Sequence, residues 1–171
     1  VEPRGLAFYD RLVDALLEAG IQPVPTLYHW DLPQGLEDRG GWMVRDTAEA
    51  LADYATVVAQ RLGDRVRDWI TLNEMSVQTL YGYALADHAP GRGLGFGALP
   101  AAHHQLLAHG LAVQRLRAAG AERVGIAQQH FPVEPASDSP EDQLAAGTFH
   151  AITNRLFSQP ILAGSYPEEL R

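Results

Sequence analysis

The sequence predicts an α/β fold built on a parallel sheet, in the form of part of a (β/α)8 barrel. Three observations lead there. Amphipathic helical stretches alternate with short apolar runs; those runs are apolar throughout, as strands buried on both faces are; and the links leaving the runs are long while the links entering them are short.

The first helix is read from Gly5 to Ala19, where Leu6, Tyr9, Leu12, Val13, Leu16 and Leu17 recur at helical spacing and Gly20 supplies a C-terminal stop. A β-favouring run follows from Pro23 to His29. The second helix is expected to start at Asp46, which with Glu49 three positions on makes the pattern of a capping box. Leu51, Tyr54, Ala55, Val58 and Leu62 form its buried stripe before Gly63. A second run spans Val66 to Asn73, a third helix about Ala101 to Ala119, and a third run Val124 to Phe131. A fourth helix has Ser139 as N-cap, Pro140 in its first position and Glu141 and Asp142 on the positive end of its dipole, and reaches about Phe157.

The helix-to-strand links Gly20 to Gln22, Gly63 to Arg65 and Gly120 to Arg123 are short, whereas Trp30 to Arg45 and Met75 to Pro100 are long strand-to-helix loops. Long loops at the carboxyl ends of parallel strands build the active face of a (β/α)8 barrel. A doubly wound open sheet obeys the same rule, but no glycine fingerprint follows any run. A closed barrel takes about 200 residues at the least, and only three strands are read here. Residues 1–171 are therefore expected to form a single partial (β/α)8 domain, with the remaining barrel units absent from this stretch and open strand edges inviting self-association or association with the rest of the barrel.

Composition narrows the chemistry. The absence of cysteine excludes disulfides, thiolate nucleophiles and sulfur-ligated metals. A net charge of −8 opposes polyanionic partners, so no nucleic acid is expected and a neutral small molecule suits the chain better. No apolar run approaches the roughly 18 residues that span a bilayer, and Val1-Glu2-Pro3-Arg4 has no signal-peptide character. No membrane partner is expected and a cytoplasmic location is, although the chain lacks an initiator Met and a longer parent is implied.

Two runs end in polar groups of one kind. Pro23 to Tyr28 is followed by His29 and Trp30, a ring nitrogen for a hydroxyl and an apolar face for the C–H side of a pyranose. Trp69-Ile70-Thr71-Leu72 is followed by Asn73 and Glu74, an amide beside a carboxylic acid. Glycoside hydrolysis needs one protonated acid for the leaving oxygen and a second carboxylate as nucleophile or base. A neighbouring carboxylate is what keeps such an acid protonated near neutrality. Glu74 is the candidate acid, and Asn73 the amide that holds a hydroxyl beside the reacting carbon. The competing reading is that Asn73 and Glu74 cap the next helix, and that His29 and Trp30 only pack.

The blocks Thr26-Leu27-Tyr28-His29-Trp30-Asp31-Leu32-Pro33-Gln34, Gly40-Gly41-Trp42, Trp69 through Glu74, His88-Ala89-Pro90-Gly91-Arg92, Leu106 through His109 and Pro160 through Pro167 together resemble the successive landmarks of family 1 glycoside hydrolases, the β-glucosidase family. The resemblance implies a retaining (β/α)8 enzyme that hydrolyses β-glucosides without metal or organic cofactor, and about strands three to five of its barrel. It implies Glu74 as general acid/base, Asn73 as ligand of the sugar 2-hydroxyl, and His29 and Trp30 as the lining of the glycone subsite. It also implies that the family's glycone-binding glutamine and the nucleophilic glutamate of its T/I-E-N-G motif lie outside this stretch, since neither has a counterpart in it. β-Galactosides and 6-phospho-β-glycosides remain alternative substrates, and a non-catalytic sugar-binding or truncated relative is an alternative of another class.

The chain departs from the family where Met75 and Ser76 replace the usual proline and aromatic residue after the acid; both are expected to face the leaving group. Asp31, Asp68 and Glu134 are weighed as substitute nucleophiles and set aside, Asp31 as a loop anchor and the others as solvated or structural. His103, His104 and His109 lack the spacing of a zinc site and are read as packing or solvent-facing groups. Gly91 to Gly97 follows no strand and lacks a Gly-Lys ending, so it is read as a flexible strand-end loop rather than a phosphate cradle.

Overall fold

A computed structural model describes residues 1–170. Helix α1 spans Pro3–Glu18, two residues earlier than its apolar spacing predicts, because Glu2 caps it by accepting from the Arg4 backbone N–H and Pro3 opens its first turn. Strand β1, Thr26–Tyr28, leads into a short helix α2, Gln34–Glu37, and a single 3-10 turn, Gly41–Met43. Helix α3, Arg45–Leu62, precedes strand β2, Asp68–Asn73. One helical turn, α4, Met75–Val77, widens into a π-helical segment, Gln78–Ala84, and a 3-10 turn at Gly95–Ala98 leads into α5, Leu99–Ala118. Strand β3 is Arg123–Ala127, and α6, Pro140–His150, continues through a π turn, Ala151–Arg155, into α7, Leu156–Ala163.

The strands form one parallel sheet in the order β1-β2-β3. Contacts divide the chain into two compact units. The first comprises Val1–Asn73 and His103–Ala127, the second Glu74–Ala102 and the chain from Gln128 onward.

The first unit packs helices against the sheet. Val13 of α1, Leu27 of β1, Ala55, Val58, Ala59 and Leu62 of α3, Trp69 of β2 and Ala112 and Leu116 of α5 form its core. Trp69 is 2% exposed, and truncating a buried indole of this kind removes about 3–5 kcal/mol. The stripe predicted for α3 is thus confirmed. Its predicted capping box is not: Val44 is the N-cap, no side chain caps the helix, Asp46 lies in the first turn, and Glu49 instead pairs with Arg45 at 2.9 Å. The i,i+4 pair and the favourable place of Asp46 on the helix dipole replace the box. On α1 only Val13 is fully buried, while Tyr9 and Leu12 of the predicted stripe are exposed. Polar contacts clasp α1 to the end of α3 and the link after it, because Asp10 takes both Arg61 of α3 and Arg65 beyond it, and these, the Arg65 hydrogen bond first, hold its carboxyl below the usual aspartate range.

The second unit is irregular. Ser139 caps α6 as predicted, accepting from the Asp142 N–H at 3.1 Å. Beyond it, the helix read as ending near Phe157 runs on to Ala163 through a widened turn. Thr153 and Ser158 donate their hydroxyls back to the Phe149 and Asn154 carbonyls, and Pro160 offers no N–H, so the regular ladder is interrupted there. Asn154, 2% exposed, clamps an extended stretch: its Oδ1 accepts from the Phe131 N–H at 3.0 Å and its Nδ2 donates to the Phe131 carbonyl at 2.8 Å. Gly82 lies so close to Ala89 that an added Cβ would stand 2.8 Å from the Ala89 carbonyl. The glycine stretch that follows is not simply flexible, since the N–H groups of Arg92 and Leu94 donate to the Gly82 and Tyr83 carbonyls.

Candidate active site

The register of the sheet brings the two polar strand ends together. Tyr28 pairs with Leu72, so the residues that follow, His29 just past the end of β1 and Asn73 at the end of β2, come side by side. Their side chains meet, with Asn73 Nδ2 at 3.3 Å from His29 Nε2. The His29 backbone N–H in turn donates to Asp31 at 3.3 Å, which gives Asp31 the loop-anchoring place expected of it.

Trp30 follows in the left-handed region, at φ 73°, an outlier for a bulky side chain. Its indole stands edge-on to the His29 ring at 5.0 Å, and its Nε1–H donates to the Asn73 carbonyl at 3.0 Å. The strand spacing alone does not reveal this use of the indole edge. The loop beyond is held by Trp42, fully buried, whose Nε1–H donates to the Tyr28 hydroxyl at 3.1 Å while its carbonyl meets His104 Nδ1 at 2.9 Å. Burial pushes the Tyr28 phenol well above its ordinary range, so it stays a neutral acceptor for that bond.

On the other side, β2 carries an irregularity as it approaches its end. Ile70 pairs with Gly125 and Asn73 with Ala127, so β2 advances one residue more than β3 over this step. Such a bulge re-aims the side chain that follows it. Behind it, Thr71 Oγ1 lies 2.8 Å from His109 Nδ1 and donates to the Gly125 carbonyl at 3.3 Å, linking β2, α5 and β3. Burial, and to a lesser degree the charge of Arg117, hold the His109 imidazole below its ordinary range. His104 and His109 are thus structural, in keeping with the sequence reading. Among the described residues no cluster of acids and imidazoles is arranged to hold a metal ion.

Glu74 opens the second unit. Its backbone is left-handed, φ 43° and ψ 63°, and its carbonyl accepts the Gln78 N–H at 3.2 Å, which makes it the N-cap residue of α4 by position. Its side chain makes no cap hydrogen bond, so the helix-capping alternative accounts for the place of this carboxyl but not for the carboxyl itself. Half-buried, it carries no hydrogen bond or ion pair among the described residues. Met75 and Ser76 were expected to face the leaving group; both are instead buried, and the Ser76 hydroxyl accepts from Gln128 Nε2 at 2.6 Å. The helical turn begins directly after Glu74, and its first side chains pack inward.

The acids weighed as second carboxylate fall elsewhere. Asp68 starts β2 and pairs with Arg123 at 2.6 Å, and Asn73 lies five residue steps further along the strand, about 17 Å at about 3.3 Å per residue. That is far beyond the roughly 5 Å between the two carboxyls of a retaining site. Glu134 is exposed.

The chain matches the family model described as Glycosyl hydrolase family 1 over residues 1–171. Thermostable beta-glucosidase B of Thermobispora bispora is 53% identical over 172 residues, a match covering 99% of this chain and 35% of that protein. Beta-glucosidase A of Thermotoga maritima is 43% identical, over 98% of this chain and 38% of that protein. The crystal structure of the psychrophilic beta-glucosidase BglU from Micrococcus antarcticus matches with a TM-score of 0.97 at 53% identity, covering 99% of this chain and 36% of that one. The likeness bears out the fold class, part of a (β/α)8 barrel. The chain spans little more than a third of the length of these relatives.

Proposed function

The chain belongs to Glycosyl hydrolase family 1, and from that premise we propose that the protein carrying it hydrolyses β-linked glucosides with retention of configuration. The observation that carries the reading is a half-buried carboxyl, Glu74, without a hydrogen-bond or ion-pair partner among the described residues and joined by one peptide bond to Asn73, whose amide meets His29. In this reading the Asn73 amide and the His29 ring exchange their mutual bond for hydroxyls of the glycone. Glu74 gives its proton to the leaving oxygen as a carboxylate elsewhere in the protein attacks the anomeric carbon, then takes a proton from the water that releases the sugar. Neither step requires a metal or organic cofactor. The names of the relatives favour glucosides over the galactoside and 6-phospho alternatives. Residues 1–171 act here as one partial barrel domain, whose open sheet edges associate with the rest of the barrel or with another copy.

Glu74→Ala in the full-length protein tests this. Substrates with very acidic leaving groups need little protonation, so their first step should be nearly spared while poor leaving groups lose about 10²- to 10⁴-fold. The glycosyl intermediate should accumulate, and azide, which needs no general base, should restore turnover and yield a β-glycosyl azide. Equal losses for good and poor leaving groups without azide rescue would mean that Glu74 is not the acid/base. Residues 1–171 alone, with no T/I-E-N-G glutamate, should show no enzymatic turnover of an aryl β-glucoside.

A further inference from the structure

Two side-chain-bearing residues at the strand ends adopt left-handed backbones, Trp30 at φ 73° and Glu74 at φ 43°. Each such conformation is strained for a residue with a side chain, and persists where its surroundings hold it in place. One hydrogen bond connects the two. The Trp30 indole N–H donates at 3.0 Å to the Asn73 carbonyl, which belongs to the same planar peptide unit as the Glu74 nitrogen. Fixing that carbonyl fixes the plane from which the Glu74 φ is measured, and so restricts the direction in which its side chain leaves the chain.

We infer that Trp30 is a positioning residue for Glu74, acting by holding the Asn73–Glu74 peptide with its indole N–H. The strain at Trp30 has a purpose in these terms, since a left-handed turn directly after β1 is what turns the indole edge back toward the end of β2. The glycone-lining role read from the sequence uses the ring face; the structure commits the ring edge to the backbone. The Asn73 side chain lies outside that peptide unit and has its own partner in His29, at 3.3 Å, so the indole N–H acts on the backbone that leads to Glu74 and not on the amide.

The inference rests on the reading of Glu74 as general acid/base, and the experiment keeps the two apart. In the full-length protein, Trp30→Phe retains an aromatic face and removes the donor. Replacing Trp30 with benzothienylalanine, in which sulfur takes the place of the N–H, keeps the bicyclic shape if the smaller ring disturbs folding. Either variant should lower kcat/KM for poor leaving groups by about 10²-fold, the scale of an ångström-sized misplacement of a catalytic group. Activated aryl glucosides should lose less than about a tenth of that factor, and binding of a glucose-shaped iminosugar should be unchanged. Crystals of the variant should show Glu74 displaced or in more than one position. A Glu74 that stays in place in those crystals overturns the inference, as does a uniform loss across leaving groups with weakened iminosugar binding, which would make Trp30 a sugar platform only. The Glu74→Ala protein, measured in parallel, reports separately on the acid/base reading.

Discussion

The two units of this chain are built on different rules. The first consists of long helices laid on three parallel strands, and its core residues recur at the spacings that regular elements demand. The second consists of the segments that leave the carboxyl ends of β2 and β3, and it contains both π segments and the cis bond between Ala89 and Pro90. Regular elements bury faces, and one substitution in them is felt as lost packing. The irregular segments are held by individual polar contacts to the backbone, so one substitution there is felt as unmet hydrogen bonds. Widened helical turns of this kind often lie near functional sites, which is where a chain must leave the regular geometry to aim a side chain.

The contrast can be broken most forcefully in the first unit. Trp69→Ala should remove about 3–5 kcal/mol, seen as a lower denaturation midpoint and a loss of amide protection across β1, β2 and β3 together. A loss confined to β2 would show that the sheet and its helices are not one cooperative body.

Asn154→Ala probes the second unit. It leaves the Phe131 N–H and carbonyl without their partner, for an expected loss of about 2–4 kcal/mol. Hydrogen exchange should quicken around Phe131 and from His150 to Ser158 while the amides of β2 stay protected. Equal quickening in β2 would mean that the two units open as one, and would remove the distinction drawn above.

That contrast also explains what could be read from sequence. The α3 stripe, the three strands and the Ser139 cap rest on periodicity and local chemistry, which a sequence displays directly. His29, Trp30, Asn73 and Glu74 stood out because they end apolar runs, and the structure brings the first three together. The backbone clamp of Asn154, the Trp42 to Tyr28 bond and the use of the Trp30 indole edge depend on residues 14 to 43 positions apart. No local pattern marks them. The capping box failed for a related reason: Asp46 and Glu49 had the spacing, but the Arg45 to Glu49 pair begins the helix one residue earlier.

The smallest effect concerns His109. Its imidazole is held below the ordinary value of 6.5, so above that pH both folded and unfolded states carry it neutral and it contributes nothing to the pH dependence. As pH falls through 6.5 the unfolded chain takes up a proton that the folded one resists, and stability declines until the folded-state pKa is passed. His109→Gln, which keeps a polar partner for Thr71, should flatten this part of the stability profile measured by urea denaturation. An unchanged slope would assign the dependence to another histidine.

The order of the sheet bears on how such a chain acquires its shape. Because β1, β2 and β3 pair in the order in which they occur, each strand meets a partner completed only about 50 residues earlier, and no strand must wait for the far end of the chain. During synthesis, β2 can dock on β1 as soon as α3 has emerged to connect them, and β3 can dock on that pair once α5 follows. The polar strand ends join in the first of these steps, so His29 and Asn73 are neighbours before β3 has been made.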